Sequence, residues 1–126
     1  MYSDILTDHL QNPRNVGKMD DPDGVSTVEN PACGDVMQLF LKVEEGRIID
    51  AKFKTFGCGP SVAASSIVTE LIKGKKIEEA LKISKETVNE ALGGLPQAKM
   101  HSAILAEDAL KAAIRDYLQK NGTPSL

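Results

Sequence analysis

The sequence predicts an α+β domain, a three-stranded antiparallel sheet with helices packed on one face, formed as a single domain over residues 1–126. Three observations carry that expectation. Two runs with a period of two, residues 35–43 and 48–56, flank Glu44-Glu45-Gly46, which has the chemistry of a tight antiparallel hairpin. A weaker strand pattern, residues 25–30, precedes them. Beyond Gly57-Cys58-Gly59-Pro60 the pattern turns helical and stays helical. Strands followed by helices segregate the helices to one side of the sheet.

The elements follow in order. Tyr2, Ile5, Leu6, His9 and Leu10 lie close to one helical face, with Ser3 and Asp4 at its start and Asn12-Pro13 at its end. Residues 13–24 are rich in Pro, Gly and Asp and read as a loop. In the first strong strand Met37, Leu39, Leu41 and Val43 face one way, Gln38 and Lys42 the other. In the second, Ile49, Ala51 and Phe53 oppose Asp50, Lys52 and Lys54. A helix over 61–73 contains Ala63, Ala64, Ser65 and Ser66 and stops at Gly74. Its small side chains allow close packing, so it is expected to be buried. Residues 77–82 and 84–92 read as two short helices, the second ending at Gly93-Gly94. The last helix, 100–119, carries an apolar stripe of Ala103, Ala106, Leu110, Ala113, Ile114 and Tyr117. Glu107 and Lys111 form an i,i+4 pair outside it.

Composition narrows the function classes. A chain of 126 residues, 41% hydrophobic and 26% charged, has the material for one core and does not read as disordered. Fifteen Lys and Arg against eighteen Asp and Glu give a net charge of −3, a poor footprint for nucleic acid. No apolar run approaches the ~18 residues of a membrane span, and the first residues lack the pattern of a signal peptide. Two cysteines make no disulfide framework. The expectation is a soluble cytoplasmic domain with no nucleic-acid or membrane partner.

Both cysteines sit in glycine-bounded turns, Pro31-Ala32-Cys33-Gly34-Asp35 and Phe56-Gly57-Cys58-Gly59-Pro60. Flanking glycines leave a sulfur uncovered, and the helix start beyond Cys58 favours a thiolate, the form that binds metal. Buried structural thiols are the other reading of the pair. His101 at the start of the last helix reads alone as a surface residue, and Asp35 as a turn carboxylate. Cys33, Cys58 and His101 show no close cysteine pair of zinc-finger type. Together with Asp35 they make a mixed S/N/O set suited to iron or zinc.

The sequence resembles the iron–sulfur cluster assembly scaffold family, the IscU proteins and the N-terminal domain of NifU. The likeness runs through Tyr2, His9, Asn12-Pro13-Arg14-Asn15-Val16-Gly17, Asn30-Pro31-Ala32-Cys33-Gly34-Asp35 and Phe56-Gly57-Cys58-Gly59. It continues through Leu95-Pro96, Lys99-Met100-His101 and the stretch from Ile104 to Ile114. The resemblance implies a transient 2Fe–2S site at one end of the domain. Sulfur would come as a persulfide from a PLP-dependent cysteine desulfurase of the IscS/NifS type. Iron and electron donors would complete the cluster, which then passes to apo iron–sulfur acceptor proteins. Cys33 and Cys58 fall on two of three family cysteines, Asp35 on a carboxylate linked to cluster release, and His101 on a nearby histidine. Thiolates hold iron firmly, whereas carboxylate and imidazole let it go more readily.

Two departures qualify the likeness. The family reads Lys-x-His-Cys, and Ser102 stands at the third cysteine's place, with the following residues in register. A serine hydroxyl ionises less readily than a thiol and cannot carry a persulfide. Leu95-Pro96-Gln97-Ala98-Lys99 keeps only the ends of the Leu-Pro-Pro-Val-Lys segment bound by a dedicated Hsp70-type chaperone, which argues against that partner. The leading expectation is a scaffold or carrier, not an enzyme. The alternatives are a zinc-bound form, a cluster-deficient module that binds a desulfurase, and a thiol enzyme pairing a cysteine with His101.

Overall fold

The computed structural model describes residues 2–31 and 34–121. Helix α1 (Asp4–Gln11) begins where the Ser3 hydroxyl accepts the Leu6 N–H at 3.0 Å. The same hydroxyl donates to the Leu92 carbonyl and so ties α1 to a distant part of the chain. Leu6 and His9 are buried, but Ile5 and Tyr2 are exposed, so the inward face is narrower than the apolar pattern suggests.

Strands β1 (Gly24–Asn30), β2 (Asp35–Glu44) and β3 (Arg47–Phe56) form one antiparallel sheet in the order β1-β2-β3. The β2–β3 turn has positive φ at both Glu45 (+51°) and Gly46 (+74°), the backbone that matches strand twist in a two-residue hairpin. Met37, Leu39, Leu41 and Val43 face the core as expected. In β3 one expectation is corrected. Ile48 is fully buried, whereas Ile49 is 44% exposed. The register explains it: Lys42 lies opposite Asp50 and Val43 opposite Ile48, so Ile49 is the extra residue of a bulge.

Four helices follow: α2 (Gly59–Ile72), α3 (Ile77–Ala80), α4 (Lys85–Ala91) and α5 (His101–Lys120), with a 3-10 turn at Gln97–Lys99 before the last. Helix α2 buries Ala63, Ala64, Val68 and Ile72 together with the hydroxyls of Ser61, Ser65, Ser66 and Thr69. Each of those hydroxyls is hydrogen-bonded, which is what makes polar burial tolerable. Helix α5 buries Ala103, Ala106, Leu110, Ala113 and Ile114, and its Glu107–Lys111 pair closes at 3.0 Å. It lies across β1 and β2, and α2 lies on β3. The approach is close. A Cβ on Gly24 would fall 2.5 Å from the Ala113 carbonyl oxygen. Among the described residues, no helix is long and apolar enough to cross a membrane.

This packing sets several chain ends side by side. Asn30 pairs with Asp35 at the β1–β2 turn, and Val36 pairs with Phe56 at the end of β3. The starts of α2 and α5 meet them there.

Candidate metal centre

Three ends each deliver one donor atom. Asp35 opens β2 and is 3% exposed. Cys58 follows β3 and caps the N-terminus of α2 as a free thiol. His101 is the first residue of α5. Asp35 Oδ2 lies 3.4 Å from Cys58 Sγ and 3.3 Å from His101 Nε2, and that nitrogen lies 3.7 Å from the sulfur. Tetrahedral bonds of about 2.0–2.3 Å separate neighbouring ligand atoms by about 3.3–3.8 Å. The three donors therefore already stand at the mutual spacing of ligands around one ion.

Local sequence builds this arrangement. Gly57 has φ +150°, and a Cβ there would sit 2.1 Å from Asp35 Oδ1. Glycine thus leaves room for the carboxylate to lie against the main chain, where Cys58 N–H donates to Oδ1 at 3.2 Å. Pro60 suits the first turn of α2, where no intrahelical N–H bond is lost. The positive end of α2 faces the Asp35 carboxylate, which accepts the Cys58 N–H there, and favours its negative charge.

Asp35 feels opposed influences. Burial raises its pKa, but hydrogen bonds from the Ser61 hydroxyl, the Cys58 N–H and the Cys58 thiol, with the charge of His101, outweigh burial and hold it below the usual aspartate value. An ionised carboxylate is thus ready to bind a cation.

Of the four predicted site residues, Asp35, Cys58 and His101 come together. Cys33 lies outside the described residues. Ser102 is fully buried, with Oγ 3.7 Å from the Cys58 sulfur. Sequence reasoning missed Ser61, whose hydroxyl touches Asp35, Cys58 and Ser102. A signal existed: Ser61 stands three residues after the helix cap, the spacing at which a side chain turns back over its own cap. Beside His101 opens a cleft of about 210 Å³ lined by Glu29, Asn30, Pro31, Ile104, Leu105 and Asp108. Phe56, next to the centre in sequence, is 66% exposed.

The arrangement separates a ligand set from a thiol catalyst. His101 turns the same nitrogen, Nε2, to both the sulfur and the carboxylate. A Cys–His catalytic pair oriented by an acid uses the two ring nitrogens separately. Convergence on one nitrogen is the geometry of donors around a shared cation.

The likeness to known proteins spans most of the chain. The family described as NifU-like N terminal domain matches residues 1–124. The chain is 62% identical over 122 residues to iron-sulfur cluster assembly scaffold protein IscU 1 of Archaeoglobus fulgidus, covering 97% of this chain and 80% of that protein. It is 56% identical over 125 residues to iron-sulfur cluster assembly scaffold protein IscU of Azotobacter vinelandii, covering 96% and 97%. A crystal structure described as a hypothetical protein superposes with a TM-score of 0.71 at 33% identity, covering 87% of this chain and 93% of that one.

Proposed function

The chain belongs to the NifU-like N-terminal domain family, and from that premise we propose that it is a scaffold on which an iron–sulfur cluster is assembled and from which it passes to acceptor proteins. The observation that carries this reading is the convergence of Asp35, Cys58 and His101 donor atoms within 4.8 Å of one another. The names of the relatives support it. The protein binds and hands over its cargo and does not turn over a substrate.

Finer features belong to the same proposal. The cargo is a 2Fe–2S cluster, for which four protein ligands are needed. Cys33, Cys58, Asp35 and His101 are the four, two to each iron, so the three donors now spaced for one ion would have to part as the second iron enters. Cys33 stands two residues before Asp35 in the sequence. Sulfur is delivered as a persulfide by a PLP-dependent cysteine desulfurase, and an electron donor reduces each sulfane sulfur by two electrons to sulfide. The chain acts in the cytoplasm as one domain over residues 1–126; the family match to residue 124 supports that extent.

Ser102 sets an expectation for the test. The lone chain offers at most two thiolates, and oxygen and imidazole donors release iron more readily. Anaerobic reconstitution with ferric iron and sulfide is expected to give visible sulfur-to-iron charge-transfer absorption that a chelator removes quickly. Ser102→Cys, and addition of the desulfurase, should each raise cluster content per chain. A colourless product loaded with zinc, or no bound metal at all, would overturn the scaffold reading. Equal cluster content in parent and Ser102→Cys would overturn the part assigned to position 102.

A further inference from the structure

Three heteroatoms converge on the fully buried Ser61 hydroxyl: Asp35 Oδ2 at 2.6 Å, Ser102 Oγ at 2.9 Å and Cys58 Sγ at 3.4 Å. A hydroxyl has one hydrogen and two lone pairs, and an ionised carboxylate only accepts. Ser61 therefore donates to Asp35, which is also its shortest contact. Its lone pairs are then left for Ser102, whose hydroxyl donates to Ser61. The acceptor-only end fixes the direction of the chain: Ser102 to Ser61 to Asp35.

Ser61 is itself held from behind. Its carbonyl accepts the Ser65 hydroxyl at 2.8 Å, and Ser65 Oγ meets Thr55 Oγ1 at 2.6 Å. The first turn of α2 is thereby tied to the end of β3, at the same edge that leads into Gly57 and Cys58. Cys58 N–H fixes Asp35 Oδ1 alone, so a second anchor is needed to set where Oδ2 points.

We propose that Ser61 is a positioning residue that aims Asp35 Oδ2 at the point shared with Cys58 Sγ and His101 Nε2, and that Ser102 is the support of Ser61 and not a metal ligand. This rests on the metal-centre reading above and assigns work within it. The hydroxyl at 102 turns toward Ser61, leaving the carboxylate as the oxygen donor of the centre. Groups that orient metal ligands typically change metal affinity by about 10–100-fold when removed.

Cobalt(II), added anaerobically to the protein, is the probe. The parent is expected to show thiolate-to-cobalt charge transfer and a low-symmetry d–d band. Ser61→Ala should weaken cobalt binding about tenfold and shift the d–d band toward that of Asp35→Ala. The double variant should lose little beyond Asp35→Ala alone, because both changes remove one effect. Ser61→Thr keeps the hydroxyl and should restore the parental band, which guards against a packing defect in the alanine variant. Ser102→Ala should shift the band in the same direction as Ser61→Ala. A parental spectrum in Ser61→Ala, or additive losses in the double variant, would overturn the proposal while leaving the metal centre intact. No thiolate charge transfer in the parent would overturn the metal centre and the proposal with it.

Discussion

Gly57→Ala tests the structural idea on which the centre depends, that a missing side chain makes room for the Asp35 carboxylate. The added Cβ would lie 2.1 Å from Asp35 Oδ1, 2.5 Å from Cγ and 3.0 Å from Cβ. No rotamer change at Gly57 avoids this, because a Cβ is fixed by the backbone. The carboxylate must swing away and lose its bonds to Cys58 N–H and Ser61. Hydrogen bonds to a charged group contribute about 1.5–3 kcal/mol each. A non-glycine residue held at φ +150° adds about 1–3 kcal/mol of backbone strain. Partial relaxation should bring the total to about 4 kcal/mol, a large fraction of the ~5–15 kcal/mol that holds a typical domain folded.

Gly46→Ala is the matched control. Gly46 also has positive φ, at +74°, but nothing lies within 4 Å of its would-be Cβ. Only the backbone cost remains, about 1 kcal/mol. With a urea m value of about 2 kcal/mol/M for a domain of this size, the midpoint should fall by about 2 M for Gly57→Ala and about 0.5 M for Gly46→Ala. Urea titration followed by far-UV circular dichroism at neutral pH, without metal, reads both. Similar shifts for the two glycines would refute the reasoning, since backbone strain alone would then account for Gly57.

Two pH windows and one packing contact give further tests. Burial first, then the Arg14 charge, holds buried His9 below its ordinary 6.5; the unfolded chain therefore binds the proton first, and stability should fall as pH drops below 6.5. His9→Gln should flatten that slope in urea titrations, and an unchanged slope would refute the assignment. Asp35 is held below its ordinary 3.8, so its contribution is intact above that value and is lost as pH falls through the lower folded value. Asp35→Asn should remove that part of the acid transition; equal steepness in parent and variant would count against it. At Gly24 a new Cβ would meet the Ala113 carbonyl oxygen at 2.5 Å and Tyr117 Cβ at 3.0 Å. Gly24→Ala should cost about 1–3 kcal/mol, and an unchanged melting temperature would show that α5 can lift off β1 freely.

The sheet and the last helix were legible because their patterns are long and redundant. Ile49 misled because Ile48 beside it is equally apolar, so a period-two reading cannot choose between them. The correct choice was nonetheless within reach of the hairpin itself. A two-residue turn at Glu45-Gly46 sets Glu44 opposite Arg47 and Val43 opposite Ile48. If Val43 points inward, Ile48 must as well, and a bulge is then needed to bring Ala51 and Phe53 to the same face. At the candidate centre, Cys58 stood out by its glycine-bounded turn, whereas Asp35 and His101 read alone as a turn carboxylate and a surface residue and were joined to it by the family resemblance. Ser61 was not legible, because a helix rich in serine and alanine reads first as close packing. Its role appears only when the Asp35 oxygens are followed to their donors.

Those donors also bear on how a scaffold could hold cargo loosely. Asp35 already accepts from Ser61, Cys58 N–H and the Cys58 thiol before any cation arrives. Each bond orients the carboxylate, and each also draws electron density that a bare carboxylate would offer to a metal. The same contacts that place Asp35 correctly thus make it a weaker donor. His101 is a neutral donor when it binds metal, and Cys58 is the single thiolate among the three. On the scaffold reading, this centre recognises its cargo by preset spacing more than by bond strength. Such a balance suits a cluster that must form on the protein and then leave it.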